Sequence, residues 1–123
     1  MAGCDGFVFV TPEYNHSVPA ALKNAIDYLF VEWNDKAAGF VSYGLHGGVR
    51  AVEHLRQILA EVRIADVRTA VALSLFHDFV DMRELKPDGH HTSTLERMLD
   101  ELVALIAATA ALRGDSDHEG EAA

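Results

Sequence analysis

Apolar and polar positions follow two rhythms along this chain. Gly6-Phe7-Val8-Phe9-Val10 is a short, unbroken apolar run, the pattern of a strand covered by helices on both faces of a parallel sheet. It is therefore expected in the sheet interior. After it, Leu22, Ala25, Ile26 and Leu29 recur at helical spacing and predict one buried stripe. Ser17 is placed to cap that helix with its hydroxyl, and Pro19 to occupy its first turn, where a missing N–H costs nothing. The plan then repeats. Ala38-Gly39-Phe40-Val41-Ser42-Tyr43 reads as a strand, Gly44-Leu45-His46-Gly47-Gly48 as a loop, and Val49 to Val62 as a helix with Val52, Leu55, Leu59 and Val62 inward. Val67, Thr69, Val71 and Leu73 propose a third strand. A last helix is expected from about Leu95 to Leu112, with Leu95, Met98, Leu99, Leu102, Leu105, Ile106 and Leu112 on its apolar side. Ser93 and Glu96 have the spacing of a capping box at its start. Between Ser74 and Thr92 no rhythm holds, and a loop is expected that covers a ligand or packs at a subunit contact.

Composition narrows the class. The chain has 123 residues, half of them hydrophobic, which suits one α/β core and contains no apolar run long enough to span a bilayer. A lone Cys4 makes no internal disulfide, and no basic region followed by an apolar signal core opens the chain, so a cytoplasmic location is expected. Ten Lys and Arg stand against 19 Asp and Glu, for a net charge of −9. Without a basic cluster the electrostatic footprint of a nucleic-acid binder is absent. Residues 1–113 are expected to form the domain, and 114–123 a disordered acidic tail with nothing to bury.

Two loops carry the candidate chemistry. Pro12, Glu13, Tyr14, Asn15 and Ser17 follow the first strand; Gly44, Gly47 and Gly48 follow the second. Right-handed crossovers would bring both loops to one edge of a parallel sheet, where they line a shared crevice. Glycines let backbone amides approach a flat ligand, so a planar heteroaromatic fits better than a sugar or a peptide. Other readings stand beside this one. Pro12 and Asn15 are common turn formers, and Gly47-Gly48 alone reads as a tight turn. Lys23 and Asp27 read as a solvated helix pair, and Cys4 as a small packing residue. Trp33, Tyr28 and Phe30 read as core or dimer surface. Seven histidines raise a metal hypothesis, through His90-His91 near Asp88 or His77 near Asp78 and Asp81. They lack the spacing of a defined zinc site, and no metal is expected.

The stretch Thr11-Pro12-Glu13-Tyr14-Asn15-His16-Ser17-Val18-Pro19-Ala20-Ala21-Leu22-Lys23-Asn24-Ala25-Ile26-Asp27 resembles the signature of the flavodoxin-like NAD(P)H-dependent FMN reductases. Ser42-Tyr43-Gly44-Leu45-His46-Gly47-Gly48-Val49-Arg50-Ala51 resembles their second flavin loop, in the same order and spacing. The family includes reductases of flavin, quinones, azo dyes and chromate. The resemblance runs from about Asp5 to Leu73, with Ala20 standing where the family usually has Gly. It implies a flavodoxin-like three-layer sandwich and a homodimer or homotetramer. It implies FMN and NAD(P)H as cofactor and hydride donor, with flavin, quinone or azo compounds as small-molecule acceptors. Pro12, Glu13, Tyr14 and Asn15 would border the isoalloxazine ring, Ser17 would support that loop, and Tyr43, Gly44, Gly47 and Gly48 would approach the other side. Hydride passes directly to the flavin, so no catalytic triad is required.

The family also begins with a strand, a Ser- and Arg-containing phosphate loop, a helix and a second strand, none of which has a counterpart here. The chain is therefore expected to be the C-terminal portion of such a reductase, lacking the first two strands and the phosphate loop. In the flavodoxin strand order the missing first strand lies beside Gly6 to Thr11, which would become an unpaired edge. A non-catalytic remnant that dimerises through that edge is the alternative. A metal- or anion-binding α/β protein is a third possibility, supported only by the histidines and helix termini.

Overall fold

The computed structural model describes residues 1–114. The chain runs β1 (Gly6–Pro12), α1 (Ala20–Asp27), β2 (Lys36–Gly44), α2 (Val49–Glu61), β3 (Ile64–Asp66), β4 (Val71–Ser74), a hairpin of β5 (Phe79–Val80) and β6 (Glu84–Leu85), and α3 (Gly89–Thr109). Short 3₁₀ turns follow α1 at Val31–Trp33 and α3 at Ala110–Arg113. Most of the acidic tail lies outside the described residues.

The expected βαβα order holds, and the sheet is parallel. β1 pairs with β2 from Gly6↔Ala37 to Pro12↔Tyr43. Of the third strand expected from Val67, Thr69, Val71 and Leu73, only Val71 and Leu73 lie in a strand, β4; Val67 and Thr69 fall in a break between it and β3. Lys36 faces Ile64 while Val41 faces Val71, so β3 and β4 follow the same edge of β2 with two extra residues between them. Arg56 holds the break, its guanidinium donating to the Val67 carbonyl at 2.9 Å and the Arg68 carbonyl at 3.2 Å.

Side-chain alternation along β2 sorts the core into two layers. On one face Phe9, Phe40, Ile26, Trp33, Leu55 and Leu59 pack under α1 and α2. Trp33 closes that layer, with its indole N–H on the Ile26 carbonyl at 3.0 Å and its ring edge-on to Phe7. On the other face Ala37, Val67, Met98 and Leu102 lie under α3. Gly6 and Gly39 let α3 settle close to the sheet, since a Cβ at either would meet Ile106 or Met98.

Several local expectations are corrected. β1 is not interior: among the described residues it pairs with β2 alone, and Val8 and Val10 are exposed while Phe9 and Thr11 are buried. This agrees with the edge expected from the strand order. In the α1 stripe Ile26 is buried, Leu22 and Leu29 are half-buried, and Ala25 is exposed. Pro19 is the N-cap of α1, and Ser17 makes no cap bond. α3 starts earlier than its leucines suggest, because Asp88 accepts the His90 amide at 2.8 Å and caps it there. Ser93 and Glu96 are consequently interior to the helix and form no box at its start. Leu95, Leu99 and Leu112 are exposed rather than packed. The expected loop from Ser74 to Thr92 contains the β5–β6 hairpin and the first turn of α3. Cys4 is exposed. Lys23 and Asp27 form the expected solvated pair at 2.8 Å.

Candidate functional site

Strand direction brings the ends of β1, β2 and β4 to one edge of the sheet. The loop after β1 is a tight hairpin turn in which Tyr14 and Ser17 exchange backbone hydrogen bonds at 3.0 and 3.1 Å. Its central residues, Asn15 and His16, have φ of 52° and 69°, the double left-handed conformation of a type I′ turn. Tyr14 is thereby presented outward, 60 % exposed.

The loop after β2 depends on two left-handed glycines, Gly47 (φ 76°) and Gly48 (φ 72°). At Gly48 a Cβ would stand 2.8 Å from Ser42 Cβ and 2.9 Å from the Tyr43 nitrogen, so no other residue fits. Ser42 Oγ donates to the Gly47 carbonyl at 2.6 Å and fixes the turn from below. Tyr43 occupies the opposite register to Ser42, on the side of Val41 and α3.

The two loops touch, as the sheet topology requires. A Cβ on Gly44 would lie 3.5 Å from Glu13 Cβ. Glu13 bridges them: its Oε1 accepts the Arg50 and Ala51 amides at 2.9 and 3.1 Å, and its Oε2 takes Arg50 Nε at 2.7 Å and Nη2 at 2.6 Å. A second tie joins Ser17 Oγ and His54 Nδ1 of α2 at 2.8 Å. Burial would raise the Glu13 carboxyl, but the bonds from Arg50 and Ala51 outweigh it and hold the group below its ordinary value of 4.5. A cleft of about 270 Å³ opens between the loops, lined by Glu13, Asn15, His16, Leu45, His46 and Arg50.

The third loop joins the same edge. Leu75 N–H donates to the Gly44 carbonyl at 2.9 Å. The following hairpin is held to α3 through Asp78, which accepts the Ser74 amide at 2.7 Å and pairs with His91 Nε2 at 2.7 Å. The Ser74 amide is the main reason that the Asp78 carboxyl sits below its ordinary value; burial opposes it and His91 assists. Asp78, Asp88 and His91 bring one ligand atom each within 4.8 Å of one another. Asp78 and His91 fasten the hairpin to α3, and Asp88 caps that helix. No helix among the described residues is long and apolar enough to cross a membrane.

The structure thus brings Pro12, Glu13, Tyr14, Asn15, Ser17, Gly44, Gly47 and Gly48 to one edge, with Tyr43 immediately below on the α3 side. Sequence reasoning missed Arg50, His16, Leu45, His46 and His54. Arg50 lay in the second motif, and its charge, two residues past the glycines and opposite to that of Glu13, was the available signal.

Is the arrangement suited to FMN? The exposed aromatic turn and the cleft beside it leave room for a flat ring system; of the residues expected there, Glu13 and Asn15 line the cleft, while Tyr14 lies outside its lining and Gly44, Gly47 and Gly48 are buried. The phosphate is a different matter, because the N-termini of α2 and α3 already hold the carboxylates of Glu13 and Asp88. A phosphate at either would meet like charge.

A parallel α/β sheet with its loops gathered at one edge places the chain in the flavodoxin-like class. Among solved structures it resembles an oxidoreductase from Corynebacterium diphtheriae, with a TM-score of 0.69 and 22 % identity over 87 % of this chain and 58 % of that one. It also resembles a flavoenzyme NAD(P)H:(acceptor) oxidoreductase from Paracoccus denitrificans, with a TM-score of 0.61 and 22 % identity over 89 % of this chain and 63 % of that one. The family model described as NADPH-dependent FMN reductase matches residues 1–78, and the chain belongs to that family. An NAD(P)H-dependent FMN reductase of Schizosaccharomyces pombe is 42 % identical over 95 residues, 77 % of this chain and 48 % of that protein. A quinone reductase of Escherichia coli is 52 % identical over 61 residues, 45 % of this chain and 32 % of that protein. The chain spans about half the length, or less, of the curated relatives it matches.

Proposed function

We propose that this chain supplies the isoalloxazine-binding portion of an NAD(P)H-dependent FMN reductase that passes hydride from nicotinamide to FMN and on to flavin, quinone or azo acceptors. The observation that carries this reading is the Glu13 bridge, which sets the turn Tyr14–Ser17 beside Gly44–Gly48 at the carboxyl edge of the sheet. Bound FMN would supply the hydride-accepting chemistry. The chain's residues bind and orient: Pro12, Tyr14 and Asn15 border the ring on one side, Tyr43, Gly44, Gly47 and Gly48 on the other, and Ser17 steadies the first turn through His54. Glu13 contributes through its bridge, with its carboxylate turned to α2.

The test is a titration of the chain with FMN and with riboflavin, followed by flavin fluorescence, then NADPH oxidation with a quinone. Saturable binding is expected. The two flavins should bind within about threefold of each other, a difference below 1 kcal/mol, because the helix N-termini of α2 and α3 are taken by Glu13 and Asp88 and no phosphate loop is at hand among the described residues to hold the extra charge. Tyr14→Ala should weaken both. Failure of either flavin to bind overturns the reading.

One observation favours a second reading, a dimerising module without flavin. Val8 and Val10 lie exposed on β1, whose outer edge pairs with no described strand.

A further inference from the structure

Glu13 is the acid among the residues expected to touch flavin, yet its side chain is only 7 % exposed and both oxygens are engaged. Oε1 receives two amides from the first turn of α2, and Oε2 receives two nitrogens of the Arg50 guanidinium. Two physical consequences follow. The aromatic turn is fastened to the helix that begins immediately after Gly48. In addition, the positive end of the α2 dipole and the charge of Arg50, both at the cleft, are offset by one carboxylate. Positive charge near a flavin favours its reduced, more negative state.

We propose that Glu13 is a positioning residue of the cofactor site, holding the Tyr14–Ser17 turn against the glycine turn and keeping the charges of Arg50 and the α2 terminus from stabilising reduced flavin. This rests on the flavin reading given under Proposed function. A low potential suits a protein that must hand its electrons on to an acceptor.

Glu13→Gln and Glu13→Ala separate the two roles. The Gln variant is nearly isosteric and its amide oxygen can still receive the helix amides, so the turn stays in place while Arg50 loses its counter-charge. Reduced FMN should then bind about tenfold tighter relative to oxidised FMN. That is a rise of about 30 mV in the midpoint potential of the two-electron couple. Adding Arg50→Gln should return the potential toward the wild-type value. The Ala variant removes the tie, and should lose at least tenfold in FMN affinity together with the slow hydrogen exchange of the Arg50 and Ala51 amides.

An unchanged potential in Glu13→Gln, or wild-type affinity in Glu13→Ala, overturns the proposal. Wild-type protein that takes up no flavin overturns the site reading and this proposal with it. Hydrogen exchange on flavin-free Glu13→Ala distinguishes the failures, because it reads whether Glu13 fastens the loops without reference to any ligand.

Discussion

At Gly48 a single missing methyl group decides whether the second loop can form. Its φ of 72° and the 2.8 and 2.9 Å approaches of Ser42 and Tyr43 mean that Gly48→Ala pays both a left-handed penalty and a clash with fixed backbone. The conformational part alone is about 1–2 kcal/mol. Urea unfolding should show a loss of at least that size. Gly89→Ala is the control, since nothing lies within 4 Å of its Cβ position. That substitution, in the first turn of α3, should be neutral or stabilising by up to about 1 kcal/mol. Glu13 gives a pH signature of definite sign. Its folded-state pKa lies below the ordinary 4.5, so the stability it contributes is fully present above 4.5 and is lost as pH falls through the lower folded value. Thermal unfolding at stepped pH should therefore show a steeper acid loss in the wild type than in Glu13→Gln. Equal slopes would remove Glu13 from the acid response.

The elements show which parts of the fold could be read from the sequence. The residues of β1 were legible as a strand but not as an edge, since its unbroken apolar run hid that Val8 and Val10 face outward; β2 and α2 were legible, and Val52, Leu55 and Leu59 are buried as their spacing requires. The two loops at the sheet edge were legible because turn residues and glycines announce themselves locally. What the sequence concealed was set by distant partners. Ser17 looks like a cap, but its hydroxyl is taken by His54, far along the chain. Val67 to Leu73 alternates like one strand, yet the Arg56 guanidinium stabilises a break within it. The start of α3 was missed because Asp88 precedes a polar turn rather than an apolar one. The hairpin was missed because its strands are two residues long and held by Asp78. Asp78→Ala removes an acceptor of two short hydrogen bonds. It should cost on the order of 2 kcal/mol, and it should speed hydrogen exchange of the Phe79–Leu85 amides more than that of β1 or β2. Uniform acceleration throughout the sheet would argue against a local anchor.

For the molecule as a whole, the outer side of β1, which pairs with no described strand, is where stability and association meet. An edge strand with exposed Val8 and Val10, flanked by a groove of about 280 Å³ running past Leu22, Leu29 and Trp33, offers backbone groups unpaired among the described residues beside apolar surface. Natural sheets suppress such edges with charge, because an unguarded one templates pairing with another strand. Here the groove beside the strand is lined by apolar side chains alone, so a second copy can pair its own β1 across a two-fold axis, burying the same residues on both sides. Sedimentation of the wild type should show a concentration-dependent dimer, and Val10→Lys should shift it to monomer while leaving Glu13, Arg50 and the glycine turn untouched. If the dimer blocks the flavin edge, Val10→Lys should also raise FMN affinity; if the two surfaces are independent, affinity should stay constant while the mass halves. A wild type that stays monomeric at every concentration would show that this edge is guarded by its own twist and solvation, and would remove the dimerising reading while leaving the flavin reading in place.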